Sequence, residues 1–176
     1  VADAYYQRCG RRTHPAEERA VANAVGAHLK SDGTKSSGVV TFNGEQQTLI
    51  TDLLEKAQRE DSSLVPFFSD DCAEPVLIRN LENVQGEERD IMFFSLTYAP
   101  ELKDTPYVSF GPLNRAGGER RLNVAVTRAR EKLVVFVLLR AEQIDPSRSS
   151  AQGVLHLRKF LTFAEHGAGA LTGLHQ

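Results

Sequence analysis

Four short apolar runs constrain the fold of this 176-residue sequence more than any other feature. Each run is apolar at consecutive positions and rich in β-branched or aromatic residues, which is typical of strands buried on both faces. Strands of that kind belong to parallel sheets that helices cover on both sides. The four predicted strands are Val39–Phe42, Pro75–Asn80, Asp90–Tyr98 and Leu133–Leu139.

Segments with helical spacing of apolar residues precede, separate and follow these runs. The first begins at Pro15 and carries Glu17 and Glu18 in its first turn, which favours a helix start. Two others occupy residues 43–60 and 151–167, and a further helix is predicted in the stretch that begins at Glu119. The alternation predicts an α/β domain of three layers, with a mainly parallel sheet flanked by helices.

Length and composition favour a single globular domain. With 41% hydrophobic and 25% charged residues, we expect one domain over residues 1–176, with a lead-in over 1–14 and a closing helix and tail over 150–176. The sequence starts without methionine and reaches the pair Tyr5-Tyr6 at once. We therefore interpret it as an excised piece of a longer polypeptide.

Charge and cysteine content restrict the kind of ligand site and the cellular compartment that we expect for the protein. The 21 Lys and Arg against 23 Asp and Glu leave a net charge of -2, so a site for a polyanion has to be local. Cys9 and Cys72 are too few for a disulfide framework and lack the spacing of a zinc site, which favours a reducing compartment. No apolar run approaches the roughly 18 residues of a membrane span, so we expect a cytoplasmic location.

The sequence shows no active site of its own. In "SDGTKSSG", Thr34 separates Gly33 from Lys35, and the segment leads into a strand rather than out of one, so it is a solvated turn and not a phosphate-binding loop. The paired acids of "SDDCAE", residues 69–74, are interpreted as surface. The five histidines lie at no spacing of a triad or a metal cage: His14, His28, His156, His166 and His175.

A cluster of arginines supplies the local positive charge. Arg121 and Arg128 are seven residues apart and share a face of a helix that is predicted to end near Arg128–Arg130. The planar guanidinium suits a multiply charged phosphate, whereas solvated surface charge is the alternative. The loop "VQGEERD", residues 84–90, is likewise either a solvated turn or a ligand loop. The cluster consists of Arg115, Arg120, Arg121, Arg128 and Arg130.

These residues resemble three motifs of superfamily 1 helicases of the Upf-like group. "GVVTFNGEQQTLI" is similar to motif IV, "NVQGEERDIMFFSLTY" to motif V and "ERRLNVAVTRAREKLVVF" to motif VI, in the order of that family. The resemblance implies the second RecA-like domain of a motor, without the first domain that carries the P-loop lysine, the Mg²⁺-holding acids and the catalytic glutamate. The surrounding sequence is most similar to large bacterial DNA-helicase-related proteins, in which an endonuclease-like domain can follow the motor.

The resemblance also implies site residues. In the family, ATP and Mg²⁺ lie in the cleft between two RecA-like domains and are bound mainly by the first, so we expect no cofactor bound tightly to this fragment. By the match, Arg128 is the arginine finger that reaches the γ-phosphate. Gln85 and Gly86 form the motif V turn, and Glu88 contacts the ribose of the nucleotide.

Further positions follow from the same match. Arg121 and Asn123 organise the motif VI helix. Gln47 stands where motif IV normally has a second γ-phosphate arginine, so it can donate a hydrogen bond but brings no charge. Phe42 either contacts the adenine or belongs to the core, because it ends a buried strand.

The implied partners are the first RecA-like domain of the same chain and single-stranded nucleic acid, DNA rather than RNA, with no membrane. Ser95 and Thr97 either contact the nucleic-acid backbone or are simply polar strand ends. The implied function is the C-terminal motor domain of an ATP-dependent helicase, inactive when isolated. The alternative is a non-catalytic RecA-like module that binds nucleic acid or protein.

Overall fold

The computed structural model describes residues 15–97 and 110–166. The predictions that fall on residues 1–14, on the end of the third strand at residue 98 and on the tail from residue 167 lie outside the described residues. Within the described part the order of elements is α1 Pro15–Ser31, β1 Ser37–Thr41, α2 Gly44–Glu60, β2 Leu77–Asn80, β3 Arg89–Ser95, α3 Gly118–Val126, β4 Ala129–Phe136 and α4 Gln152–His166.

The four strands form one parallel sheet in the order β2-β1-β3-β4. Short 3-10 helices that the sequence pattern did not predict lie between the main elements. The longest follows α2 directly and contains a proline that cannot continue an α-helix. The 3-10 helices are Ser62–Phe68, Gly111–Asn114, Ala141–Gln143 and Pro146–Arg148.

Two apolar cores on opposite faces of the sheet explain why the strands are apolar throughout. Val39 and Phe93 point to a core shared with α1 and α2, where Val21, Ile50 and Leu54 are buried. Their neighbours in the strands point to the other core, which is shared with α3 and α4. Successive side chains of a strand face opposite sides, so each strand contributes to both cores. The predicted three-layer α/β fold is confirmed.

The end of α3 differs from the prediction that placed it near Arg128–Arg130. The helix ends at Val126, and β4 begins at Ala129, four residues before the predicted Leu133. Side chains of the two following residues turn back to a carbonyl of the last helical turn, because Thr127 Oγ1 and Arg128 Nε both donate to Val124 O at 2.9 Å. The carbonyl of Arg128 already accepts from Arg89 N at 3.1 Å, so sheet pairing starts at once.

The connection from β2 to β3 contains no helix. Residues 81–88 pass from the carboxyl end of β2 over the face of β1 to the amino end of β3, because β1 lies between these strands. Leu81 and Val84 are buried in the core shared with α3 and α4, which fixes the connection to that face. We call residues 81–88 the crossover loop. It contains the predicted motif V turn.

Among the helices described here, none combines the length and apolar character that a membrane crossing requires.

Candidate functional site

Arg128 lies in the turn between α3 and β4 and is held by its own helix end. Its Nε donates to Val124 O at 2.9 Å and its Nη2 donates to Thr127 Oγ1 at 3.2 Å. Its Nη1 lies 3.4 Å from Glu88 Oε1, at the end of the crossover loop. The side chain is 19% exposed. The guanidinium therefore has a fixed stem and one partly open side, which is a geometry that can present charge to a group outside the domain.

The crossover loop presents three of the predicted site residues to solvent. Gln85 and Gly86 are exposed, and Gly86 has φ of 85°, which a residue with a side chain rarely adopts. Glu88 is half exposed and pairs with Arg128, so the structure brings together the predicted ribose contact and the predicted finger. An exposed pair of this kind is weak and can exchange partners.

Arg89 anchors the end of the crossover loop and was not identified from the sequence. Its Nε and Nη2 both donate to Pro75 O at 3.0 Å, and its Nη1 donates to Glu88 O at 2.7 Å. It is 8% exposed, with Glu87 at 3.6 Å. Its position in the sequence is the only signal that could have indicated this role, because Arg89 follows two acids directly and begins an apolar strand. Arg89 fixes the backbone from which Glu88 projects.

Gln47 lies in the first turn of α2 and is directed to the edge strand. Its Nε2 donates to Ile78 O at 3.0 Å, and Asn80 Nδ2 donates to its Oε1 at 3.1 Å. Among the contacts described, none joins Gln47 to Arg128. The position predicted for a second phosphate contact is thus occupied by a neutral side chain that is engaged with β2.

Arg121 and Asn123 support α3 in different ways. Arg121 Nη1 donates to Ala116 O at 3.1 Å, so this side chain closes the turn that precedes the helix. The side chain of Asn123 is exposed, while its backbone carbonyl accepts from Thr127 N at 3.2 Å. Both contacts shape the segment that ends at Arg128.

Phe42, Ser95 and Thr97 are all buried. Phe42 is 1% exposed and meets Phe94 edge-on, with ring centroids 6.3 Å apart, so it lies in the core and offers no open face to adenine. Ser95 Oγ donates to Glu17 Oε1 at 2.7 Å, and Thr97 N donates to the same oxygen at 3.0 Å. In this structure Ser95 and Thr97 therefore present no surface to nucleic acid, and burial is the reason.

Glu17 was expected only as a first-turn acid, but it is 2% exposed. Burial raises the pKa of its carboxyl group to about 7, and the neighbouring charge of Glu18 also raises it. The hydrogen bonds from Ser95 and from the backbone of Thr97 act in the opposite direction. The partners lie 78 and 80 positions away in the sequence, so no local pattern could have indicated them.

Arg130 differs from the other members of the arginine cluster, because it serves the amino-terminal edge of the sheet. It contacts Glu74, its Nε lies 2.9 Å from Asp90 Oδ1, and its Nη2 donates to Ser36 Oγ at 2.8 Å. The Arg130 side chain holds the pKa of Glu74 below its usual value. The backbone N–H of Ser36 does the same for the pKa of Asp90, with a smaller effect of Arg130. Arg130 is committed to these partners rather than to a phosphate.

The two remaining arginines of the cluster lie on the surface. Arg115 Nη1 is 3.6 Å from Glu82 Oε1, and Arg120 is exposed on α3. In the part of the chain that the structure describes, no group of three or more His, Cys, Asp or Glu side chains could hold a metal ion. The site therefore consists of Arg128, Glu88 and the exposed turn at Gly86.

Comparison with known proteins defines the class to which this fold and site belong. Residues 5–138 match the sequence profile of a protein family described as AAA domain. The chain belongs to this family, as the C-terminal RecA-like domain of superfamily 1 Upf-like helicases.

Two mycoplasma proteins are among its relatives. The chain is 38% identical over 142 residues to the uncharacterized ATP-dependent helicase MG140 of Mycoplasma genitalium. The matched region covers 77% of this chain and 12% of that protein. It is 36% identical over 136 residues to the MG140 homolog of Mycoplasma pneumoniae, which covers 74% of this chain and 12% of that protein. The chain thus spans about 12% of the length of the relatives it matches.

Proposed function

We propose that this chain is the second motor domain of an ATP-dependent nucleic-acid helicase and that Arg128 acts as its arginine finger. The observation that carries the proposal is the partly open guanidinium of Arg128, fixed by Val124 and Thr127 and facing the crossover loop. Family membership and the names of the two relatives support it. The relatives are named as ATP-dependent helicases, and their activity is assigned to this chain only as part of the proposal.

The described residues fit one phosphate contact but not a whole nucleotide site. Arg128 offers N–H donors and a permanent charge, whereas the described residues include no phosphate-cradling loop and no cluster of acids for Mg²⁺. ATP and Mg²⁺ would accordingly be bound mainly by a first RecA-like domain, and the isolated chain is expected to hydrolyse no ATP. The nucleotide would supply the phosphoryl group that is transferred to water.

Arg128 would act on the charge that develops during phosphoryl transfer. A guanidinium that meets the equatorial oxygens only in a closed cleft stabilises the transition state more than the bound substrate. In the structure, Nη1 of Arg128 faces Glu88 at 3.4 Å, so a phosphate that is contacted through this nitrogen would displace Glu88. Glu88 would then be available to accept a hydrogen bond from a ribose hydroxyl group.

The first test is the nucleic-acid-stimulated ATPase activity of the longer protein that carries this domain. We expect Arg128→Ala to lower kcat about a thousandfold while ATP binding is largely kept, because finger arginines contribute roughly 10³ to 10⁵ in rate. Arg59→Ala is the matched control, since Arg59 is an exposed arginine of α2 on the other face of the sheet, and it should change kcat by less than about twofold. The melting temperature of each variant is measured first, and kcat values are compared only between proteins of equal thermal stability.

An unchanged kcat in Arg128→Ala would favour the second candidate, a non-catalytic module that binds nucleic acid or protein. The observation in favour of this candidate is that Arg115 and Arg120 are exposed without a structural task comparable to that of Arg130. Single-stranded nucleic acid, with DNA preferred over RNA, is the proposed partner of the motor domain, whereas the second candidate would bind nucleic acid or protein.

A further inference from the structure

A buried polar cluster joins α1 and α2 to the carboxyl end of β3. Glu17 Oε1 accepts from Ser95 Oγ at 2.7 Å, from Thr97 N at 3.0 Å and from Gln46 Nε2 at 3.4 Å. Gln46 Nε2 also donates to Ser95 Oγ. All four residues are 0–2% exposed. Because water does not reach these groups, removal of the Glu17 acceptor would leave several donors unsatisfied.

The buried cluster also holds an unusual backbone conformation at Thr97. Its φ of 51° places a β-branched residue in the left-handed region, which is a conformation that persists only where surrounding contacts hold it. The hydrogen bond from its own N–H to Glu17 is such a contact. Glu17 therefore helps to hold the backbone conformation of Thr97 directly after β3.

The other end of the cluster lies beside a predicted phosphate contact. Gln46 and Gln47 are neighbours in the first turn of α2, and that turn is capped by Asn43, whose side chain accepts from Gln46 N at 2.8 Å. Gln46 points into the buried cluster, while Gln47 points to Ile78 and Asn80. A displacement of this turn moves both glutamines together, because a helical turn is a rigid unit.

We propose that Glu17 is a positioning residue that couples the first turn of α2, and with it Gln47, to the backbone of Thr97 at the end of β3. The path is contiguous, from Gln47 through Gln46 and Glu17 to the amide of Thr97. The proposal rests on the proposed function only for its consequence, which is that a phosphate near Gln47 alters the backbone at Thr97. The coupling itself can be measured without nucleotide.

The first measurement is amide hydrogen exchange by NMR on the 176-residue chain. Glu17→Leu keeps most of the side-chain volume and removes the acceptor, so we expect the Thr97 amide to exchange about tenfold faster, which is the effect of one lost hydrogen bond. Val25→Ala is the control, because Val25 is a fully buried residue of the same helix outside the cluster. Glu17→Gln, which retains an acceptor oxygen, should restore slow exchange.

The second measurement is a double-mutant cycle. Gln47→Ala should shift the Thr97 amide resonance in the wild-type background and leave it unmoved in the Glu17→Leu background. An unchanged Thr97 exchange rate in Glu17→Leu, or an equal shift in both backgrounds, would overturn the coupling. Neither measurement uses ATP, so a failure of the arginine-finger assignment and a failure of this coupling are separate results.

Discussion

The ionisable residues discussed above fall into two groups, those that contact solvent and those that are buried. Arg128 and Glu88 keep contact with solvent and can exchange partners, whereas Arg89 and Glu17 are buried and hold backbone in place. The sequence indicated the first pair, because both belong to recognisable motifs. It did not indicate the second pair, because a buried charge is defined by partners that are distant in sequence, such as Ser95 for Glu17.

Glu17 gives a stability prediction at the residue scale. Its folded-state pKa of about 7 lies above the ordinary value of 4.5, so the folded chain holds a proton that the unfolded chain releases between these pH values. The free energy of unfolding should therefore fall as pH rises through this window, by about 3 kcal/mol, and stay level above it. Urea unfolding at several pH values measures this slope.

Two variants make the origin of that slope testable. Glu17→Gln removes the titrating group and should flatten the dependence, with the variant more stable than wild type above pH 7. Glu55→Gln, on the exposed face of α2, should leave the slope as it is. A slope that persists in Glu17→Gln would assign the titration to another buried acid.

At the scale of elements, the strands and helices could be predicted from the sequence, but the helix ends and the paths of the connecting loops could not. Consecutive apolar residues such as Val39 and Val40 require a strand with both faces buried, which the two cores confirm. The end of α3 depends on Thr127 and Arg128 turning back to Val124, a choice that competes with continuing the helix. The Arg128 to Glu88 contact depends on the path of the crossover loop, which periodicity does not encode.

Gly86 gives a prediction for the crossover loop. A Cβ at this position would meet no atom within 4 Å, so Gly86→Ala should cost only the backbone strain of φ at +85°, about 1–2 kcal/mol of the free energy of unfolding. Gly26→Ala is the control, because the position is equally open, lies inside α1 and should gain up to about 1 kcal/mol. Denaturant unfolding of both variants measures the change in the free energy of unfolding. An equal change in the two variants would argue against a strained turn at Gly86.

At the scale of the whole molecule, charge is segregated along the chain although the net charge is only -2. Residues 15–97 carry 15 Asp and Glu against 7 Lys and Arg, whereas residues 110–166 carry 5 against 10. The second group forms α3, β4 and α4, and we call the outer surface of α3 and α4, with the exposed Arg120 and Lys159, the basic face. The acids of the crossover loop lie on the same side of the sheet. The local positive field that the net charge obscures thus has a place in the fold.

This segregation predicts how the chain binds a polyanion. A single-stranded oligonucleotide should bind to the basic face with an affinity that falls as salt rises, with a logarithmic slope of about 0.7 for each phosphate contact. Reversing charge with Arg120→Glu should weaken binding and reduce that slope. Lys56→Glu, on the exposed surface of α2, is the control and should have little effect. Equal losses in both variants, measured by fluorescence anisotropy, would contradict a localised basic face.

The crossover loop has little slack. From the level of Asn80 it returns by about six residues of strand and moves sideways by two strands, which is about 22 Å out of the roughly 30 Å that nine peptide steps can span. Part of that reach is used by the turn at Gly86 and by the descent over the sheet. The loop therefore travels with the sheet as one body. Glu88 and Arg128 therefore approach any partner domain together.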